Sequence, residues 1–458
     1  MNGKRLTGLL LMLLSVGASI WWGVPLGRTI PGGTNDLQVV YYATRALIEH
    51  SDPYNLLELK KVYVAEEAKL PPHSIERPKA VTWYIYLPPT FLVIAPLALL
   101  PWSVADALWM ILLVGTLLIA AILMANLGAQ HAPKISIFLA CIVLANCEVG
   151  FALGNSAVLV VSLCTVAVWC LFQNRFIPLG VVGLVLCLAV KPHDADLVWL
   201  YFLLAGGVCR RRALQVLAIA VVLGLTATIW VSQVAPNWME EWNSNVSSLS
   251  VRGGLTDPGP TAERAQGAGE VIDLQAALSV LRDDPGFYNP VSHAVCGALL
   301  LVWGFTAWRT RFSQTEAWYS VAAIAPLTLL ATYHRPYDAK ILLLEIPACA
   351  ILWAERGWIG RVAILLTTAA IGLTGDIPLV ILSRLTGNLR LSNASFLERV
   401  LLVFLIRPAP VALLALAVFY LSVYVRRTWI AGAALTHEGS AKALVSSKVW
   451  KPFAEFYD

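Results

Sequence analysis

Apolar runs long enough to cross a bilayer recur from Leu6 to Val425, and short basic turns separate several of them. About 20 predominantly apolar residues span the hydrocarbon core as a helix, and every backbone polar group at that depth needs a partner within the protein. The pattern excludes a soluble fold. Charge agrees with it: 13% of the residues are Asp, Glu, Lys or Arg, against about 25% in soluble domains. The expected class is an all-α polytopic membrane protein. The net charge of +5 carries no signal for nucleic acid, because the basic residues sit in clusters between runs, as the positive-inside rule produces.

Thirteen runs qualify as candidate spans. The strongest basic clusters are "CRRR" from Cys209, "WRTRF" from Trp308, "AERGWIGR" from Ala354, and Arg426 with Arg427. They all become cytoplasmic only if one run before Cys209 does not cross. Tyr84–Leu100 is that run, because Pro88, Pro89 and Pro96 interrupt it and each removes a backbone hydrogen bond. It reads as an interfacial or re-entrant segment. About twelve transmembrane helices follow, with both termini cytoplasmic. Leu6–Leu26, preceded by Lys4 and Arg5, reads as an uncleaved first span, since no clean cleavage site follows it. Seven of the eight cysteines lie within apolar runs and no CxxC pair exists, so neither a disulfide framework nor a zinc site is indicated.

This topology gathers the mixed polar chemistry on the outer side: a loop at 27–83, "GNS" from Gly154, "KPHDAD" from Lys191, a loop at 235–289, and "YHRPYD" from Tyr333. The expected division is a membrane module at 1–234, the 235–289 loop, a second helical module at 290–425 and a cytoplasmic tail at 426–458. In the first loop, "DLQVVYYATRALI" sets Leu37, Val40, Tyr41, Thr44, Leu47 and Ile48 at helical spacing, and "SDPY" ends the pattern. A juxtamembrane helix lying along the membrane surface is expected there. Its first residue, Asp36, is favoured by the helix dipole. It also sits where an enzyme working at the membrane surface would hold a base.

Lys191 and His193 interrupt a pair of apolar arms only 15 and 14 residues long, so this break lies below the headgroups. Charged groups at such depth face a water-filled cavity or pair with one another. The break therefore offers either a phosphate site or a turn capped by Lys191 with Asp194 or Asp196. The "DAD" string (Asp194 and Asp196) matches a metal-binding DxD pattern, but three residues are too few to assign a metal, and none is expected. His334 and Arg335 supply a second cationic break, with Asp338 a partner for either. Arg45 and Lys79 are further candidate phosphate ligands. Tyr41 and Tyr42 either line a sugar site or anchor the helix. Trp238 and Trp242 read as an interfacial anchor, and "GGLTDPGPTAERAQGAGE" from Gly253 as a mobile stretch.

One carboxylate beside several cations suits a reaction in which a base activates an acceptor hydroxyl and cations stabilise a phosphate leaving group. That describes sugar transfer from a polyprenyl phosphate. A lipid-linked-sugar flippase is the alternative. Transporters, however, place their helix breaks near the midplane of repeated halves, and no internal repeat is seen here. A non-catalytic scaffold of a cell-envelope complex is a third reading.

The stretches "NDLQVVYYATRALIEHSDPYN", "YLPPTFLVIAPLALLP", "GNSAVLVVSL" and "AVKPHDADLVWLYFLLAGG" resemble, in that order, the polytopic GT-C glycosyltransferases, and family 87 in particular. The later "YHRPYDAKILLLE" is similar to that family as well. The resemblance implies a GT-C fold with juxtamembrane helices in the first outer loop. It implies an inverting transferase of the bacterial cytoplasmic membrane, using a polyprenyl-phosphate sugar, commonly mannose, and a lipid or glycan acceptor, without cofactor or metal. It makes Asp36 the general base and matches Lys191 and His334 to the donor phosphate, with Asn155 as a further position near the sugar.

Overall fold

A computed structural model of the chain describes residues 3–29, 36–68, 81–254, 256–259, 271–310, 313–386 and 394–438. The protein is an all-α polytopic membrane protein, and among the described residues there is no strand. Helix α1 (Gly3–Thr29) is followed by the short α2 (Asp36–Ile48) and α3 (Leu56–Glu67), then by α4 (Pro89–Ala98). Next come α5 (Trp102–Gly128), α6 (Pro133–Leu144), α7 (Glu148–Leu153), α8 (Ser156–Phe172), α9 (Ile177–Val190), α10 (Asp196–Leu204) and α11 (Gly207–Val234). A long connection carries α12 (Trp238–Ser250) and α13 (Leu274–Leu281) before α14 (Pro285–Arg309) and α15 (Gln314–Ala331). After α15 a 3-10 stretch, Asp338–Glu345, runs into α16 (Ile346–Ala354), and α17 (Trp358–Leu373), α18 (Asp376–Thr386), α19 (Phe396–Ile406) and α20 (Pro408–Glu438) complete the chain.

By length and composition α1, α5, α11, α14 and α20 are each able to cross a membrane. The shorter apolar helices α6, α8, α9 and α17 fill the bundle between them. Helix α4 has ten residues, about 15 Å of rise, which is half a hydrocarbon core. Its Pro88 and Pro89 stand where a helix tolerates proline, at the first turn. Two expected spans are broken. Ile135–Leu153 divides between α6 and α7, where the Asn146 side-chain amide donates to the Ile142 carbonyl (2.7 Å) and the backbone N–H of Val149 turns to Asp376 Oδ2 (2.8 Å). Val400–Val425 divides at Arg407, because Pro408 ends α19 and opens α20.

Helix α2 is covered by protein. Ten of its 13 residues are buried, on all sides, because α3, α4 and Trp102 close over it. The extended stretch 81–87 is held in the same way from the second long connection. Asn245 on α12 donates to the carbonyls of Tyr54 (2.9 Å) and Tyr84 (3.1 Å), and Trp242 Nε1 donates to that of Ile85 (2.8 Å). The indole of Trp242 is thus a clamp between two loops. The Gly/Pro-rich stretch expected to be mobile lies outside the described residues at 255 and 260–270.

The two ends of the bundle differ. At one, Arg427 pairs with Glu355 and lies over the Tyr319 ring (5.6 Å), joining two of the basic clusters. At the other, the helix break at 154–155 meets Asp36, the breaks at 191–195 and 332–338 meet each other, and the charges of Lys191, Arg335 and Asp338 act on Asp36.

Candidate active site

Asp36 is the first residue of α2 and half-buried. Its Oδ2 accepts a 2.5 Å hydrogen bond from Asn155 Nδ2. Local chemistry explains how Asn155 reaches it. Helix α7 ends on Gly154 with φ +59°, the left-handed conformation that favours glycine. Asn155 then caps α8, its Oδ1 accepting from the Ala157 N–H (2.8 Å), which leaves the amide nitrogen to face Asp36. Trp109 Nε1 fixes the turn by donating to the Gly154 carbonyl (2.8 Å), and Tyr86 shares a hydrogen bond with Ser156 (3.3 Å) beside it.

Lys191 ends α9, and a single 3-10 turn, Pro192–Asp194, separates α9 from α10. Its ammonium donates to Asp338 Oδ1, lies 3.3 Å from Asp194 Oδ2, and stands over the Tyr337 ring (5.6 Å). The second oxygen of Asp338 accepts from the Arg335 backbone N–H (2.6 Å), closing the turn after α15. Arg335 Nε donates to the Tyr333 hydroxyl. His334 is fully buried: its carbonyl accepts from the Ile272 N–H (3.0 Å), its Nδ1 is 2.9 Å from the Thr332 carbonyl, and its Nε2 is 3.0 Å from Asp194 Oδ1. Gly150 permits the approach of α7 to this turn; a Cβ there would stand 2.7 Å from Val158 Cγ2 and 3.3 Å from Tyr337 Cβ.

Burial dominates the electrostatics of Asp36 and raises its carboxyl above the ordinary range, together with the negative charge of Asp338. The Asn155 hydrogen bond and the positive charges of Arg335 and Lys191 oppose that rise without cancelling it. His193 is pushed down to about 3, chiefly by burial, and stands neutral. Burial also disfavours the charged form of His334, but Asp194 and Asp338 outweigh it and raise the imidazole above its usual value.

Five expected residues, Asp36, Asn155, Lys191, His334 and Arg335, meet in one polar region, and His193 stands at its rim with its ring 5.1 Å from that of His334. Three others do not join it. Arg45 lies nine residues along α2 from Asp36, about 13 Å of rise, and its guanidinium is engaged by Glu49 (3.4 Å), Glu66 (3.4 Å) and the Tyr41 hydroxyl (3.2 Å). Tyr41 is buried and donates to the Leu100 carbonyl (2.7 Å), while the Tyr42 ring packs between Tyr63 and Trp102. Both tyrosines anchor α2 against its neighbours. Lys79 lies outside the described residues.

Pattern reading undervalued two acids. Asp338 was expected to pair with His334 or Arg335, and instead it takes the Lys191 ammonium from a break 147 residues away. Asp194 faces Lys191 and His334, whereas Asp196 is exposed and accepts from the N–H of Leu197 (2.6 Å). The two acids of the DxD string therefore do not converge. The available signal was a short one: each acid lies within four residues of a cation at a helix break.

The geometry offers a half-buried carboxylate held by one amide, next to a buried network of alternating charge. A family model described as glycosyltransferase family 87 matches residues 84–333, more than half of the chain. The match includes Asn155, Lys191, His193 and Asp194; Asp36 precedes it and the His334–Asp338 turn follows it. No curated protein and no solved structure matches the chain.

Proposed function

The chain belongs to glycosyltransferase family 87, and from that premise we propose an inverting transfer of a sugar, mannose first among candidates, from a polyprenyl-phosphate donor to a hydroxyl of a lipid or glycan acceptor. The reaction takes place at the outer face of a bacterial cytoplasmic membrane, with both termini inside. Asp36 is the general base. It removes the proton of the acceptor hydroxyl as that oxygen bonds to the anomeric carbon from the face opposite the lipid phosphate. The bond from that carbon to the phosphate oxygen breaks, and the phosphate leaves with the electron pair. Asn155 keeps one carboxylate oxygen oriented, so the other is available to the acceptor.

Arg335 and Lys191 supply the positive charge for the leaving phosphate, and His193 and His334 border the same space. Asp338 and Asp194 keep the Lys191 ammonium in place while the site is empty of donor. The single observation that carries this reading is the 2.5 Å hydrogen bond from Asn155 to Asp36, at a carboxylate whose proton affinity is set by burial against Arg335 and Lys191.

The test is to supply membranes with different polyprenyl-phosphate sugars and to analyse the lipid products by mass spectrometry, with wild type and Asp36→Asn compared. A new glycosidic product with wild type and none with the inserted variant is expected. Retained turnover in Asp36→Asn overturns the base assignment. Sugar crossing the membrane with no new glycosidic bond overturns the transferase reading in favour of a flippase.

A further inference from the structure

Three potential ligand atoms converge from two helix breaks: the side-chain donors of His193, Asp194 and His334 all lie within 4.8 Å of one another. Asp194 and His334 are 1% and 0% exposed, and His193 is half-buried at the rim. The contact between the buried pair is unusual. His334 Nε2 is 3.0 Å from Asp194 Oδ1. Among the described residues, neither atom has a hydrogen-bond partner, and neither does Asp194 Oδ2. Lys191 Nζ stands 3.3 Å from Oδ2 without hydrogen-bond alignment.

The other ring nitrogen indicates why. His334 Nδ1 lies 2.9 Å from the Thr332 carbonyl, an acceptor, so the hydrogen of a neutral ring belongs on Nδ1. Nε2 then meets the carboxylate oxygen through a cation, which is either a second proton on the ring or a metal ion in its place. Two ligand atoms about 2.1 Å from one metal ion, at right angles, are about 3 Å apart. A backbone carbonyl holding the far nitrogen of a ligating imidazole is also the usual outer support of such a ligand.

We propose that His193 Nε2, Asp194 Oδ1 and His334 Nε2 form a binding site for a divalent transition-metal ion of the zinc type. Two imidazoles and one carboxylate suit borderline ions; Ca²⁺ and Mg²⁺ take oxygen ligands. Three protein ligands leave positions open for water or for an oxygen of an anionic substrate. Asp338 offsets the neighbouring Lys191 ammonium, which limits its repulsion of the ion. The site differs from the DxD string, because Asp196 takes no part.

Metal binding itself is the readout, with no sugar donor present, so the result is separate from that of the transfer reaction. The full chain in lipid nanodiscs, stripped with chelator, is titrated with Zn²⁺ and, for its visible spectrum, with Co²⁺. One ion per chain is expected, with a Co²⁺ spectrum carrying histidine ligation. His193→Gln, at the rim where folding is least disturbed, should weaken binding at least about tenfold. His334→Gln should abolish the spectrum, and Asp196→Asn should leave both measurements unchanged. Absence of stoichiometric binding by the wild type overturns the site and makes His334 and Asp194 a histidinium–carboxylate pair. Binding that persists in both histidine variants overturns it as well.

Discussion

Lys191–Asp338 and Arg427–Glu355 are both cation–carboxylate pairs, set at opposite ends of the same bundle. The side chains of the first are 14% and 1% exposed, those of the second 39% and 41%. Water solvates Arg427 and Glu355 whether or not they pair, so their contact adds little to stability. The basic residues there matter through their preference for one side of a membrane. Lys191 and Asp338 have lost that solvent, and each depends on the other. Charge is retained in such a place at a cost, and the proposed transfer from a phosphate-linked donor gives a reason to retain it.

The sharpest way to break this comparison is to remove Asp36, the proposed base beside the buried pair. Asp36→Asn should lower turnover by about 10²–10⁴-fold, the range for losing a general base, with unchanged membrane insertion. Next in size, Lys191→Met should destabilise the fold by about 3–5 kcal/mol, because Asp338 and Asp194 are left buried beside an apolar side chain. The double variant Lys191→Met/Asp338→Leu should recover part of that loss, and thermal unfolding midpoints in detergent measure both. If Lys191→Met unfolds like the wild type, the pair is solvated and the contrast between the two ends fails.

Asn155→Ala should cost about 0.5–2 kcal/mol as a lost helix cap, and it also acts on Asp36. The hydrogen bond from Asn155 lowers the pKa of Asp36, so its removal raises a value that burial has already raised. In its proposed role as base, Asp36 works only when deprotonated. Turnover should therefore fall as pH drops through that raised value, and the fall should begin at higher pH in Asn155→Ala than in wild type. A pH–rate profile with no displacement would separate Asn155 from the base. The smallest effect belongs to the other end: Glu355→Ala should change stability by about 0–1 kcal/mol, read from the same melting curves.

Much of the fold was legible in the sequence. Proline at 88, 89 and 96 marked the run whose helix is only ten residues long, and "SDPY" marked the end of α2. Tyr41, Tyr42 and Arg45 show the limit of such reading. A helical pattern tells which residues share a face, but α2 is covered on every face, so its tyrosines became anchors and its arginine joined Glu49 and Glu66. Asp338 shows the same limit in the site. An acid beside two cations in sequence has local candidates for a partner, and the one it takes lies 147 residues away.

The sequence by itself determined most of the helices, the breaks at Gly154, Lys191 and Tyr333, and the sharing of one end of the bundle by those breaks. These follow from local physics: apolar length, proline and glycine at chain breaks, and the sidedness of basic turns. Only the tertiary structure decided which charge meets which. The pairing depends on how α2, α8, α9 and α15 pack side by side, which brings Asn155 to Asp36, Lys191 to Asp338, and His334 to Asp194. Those contacts are set to within an ångström by the packing of whole helices, and no local pattern of residues encodes a distance between two breaks so far apart in the chain.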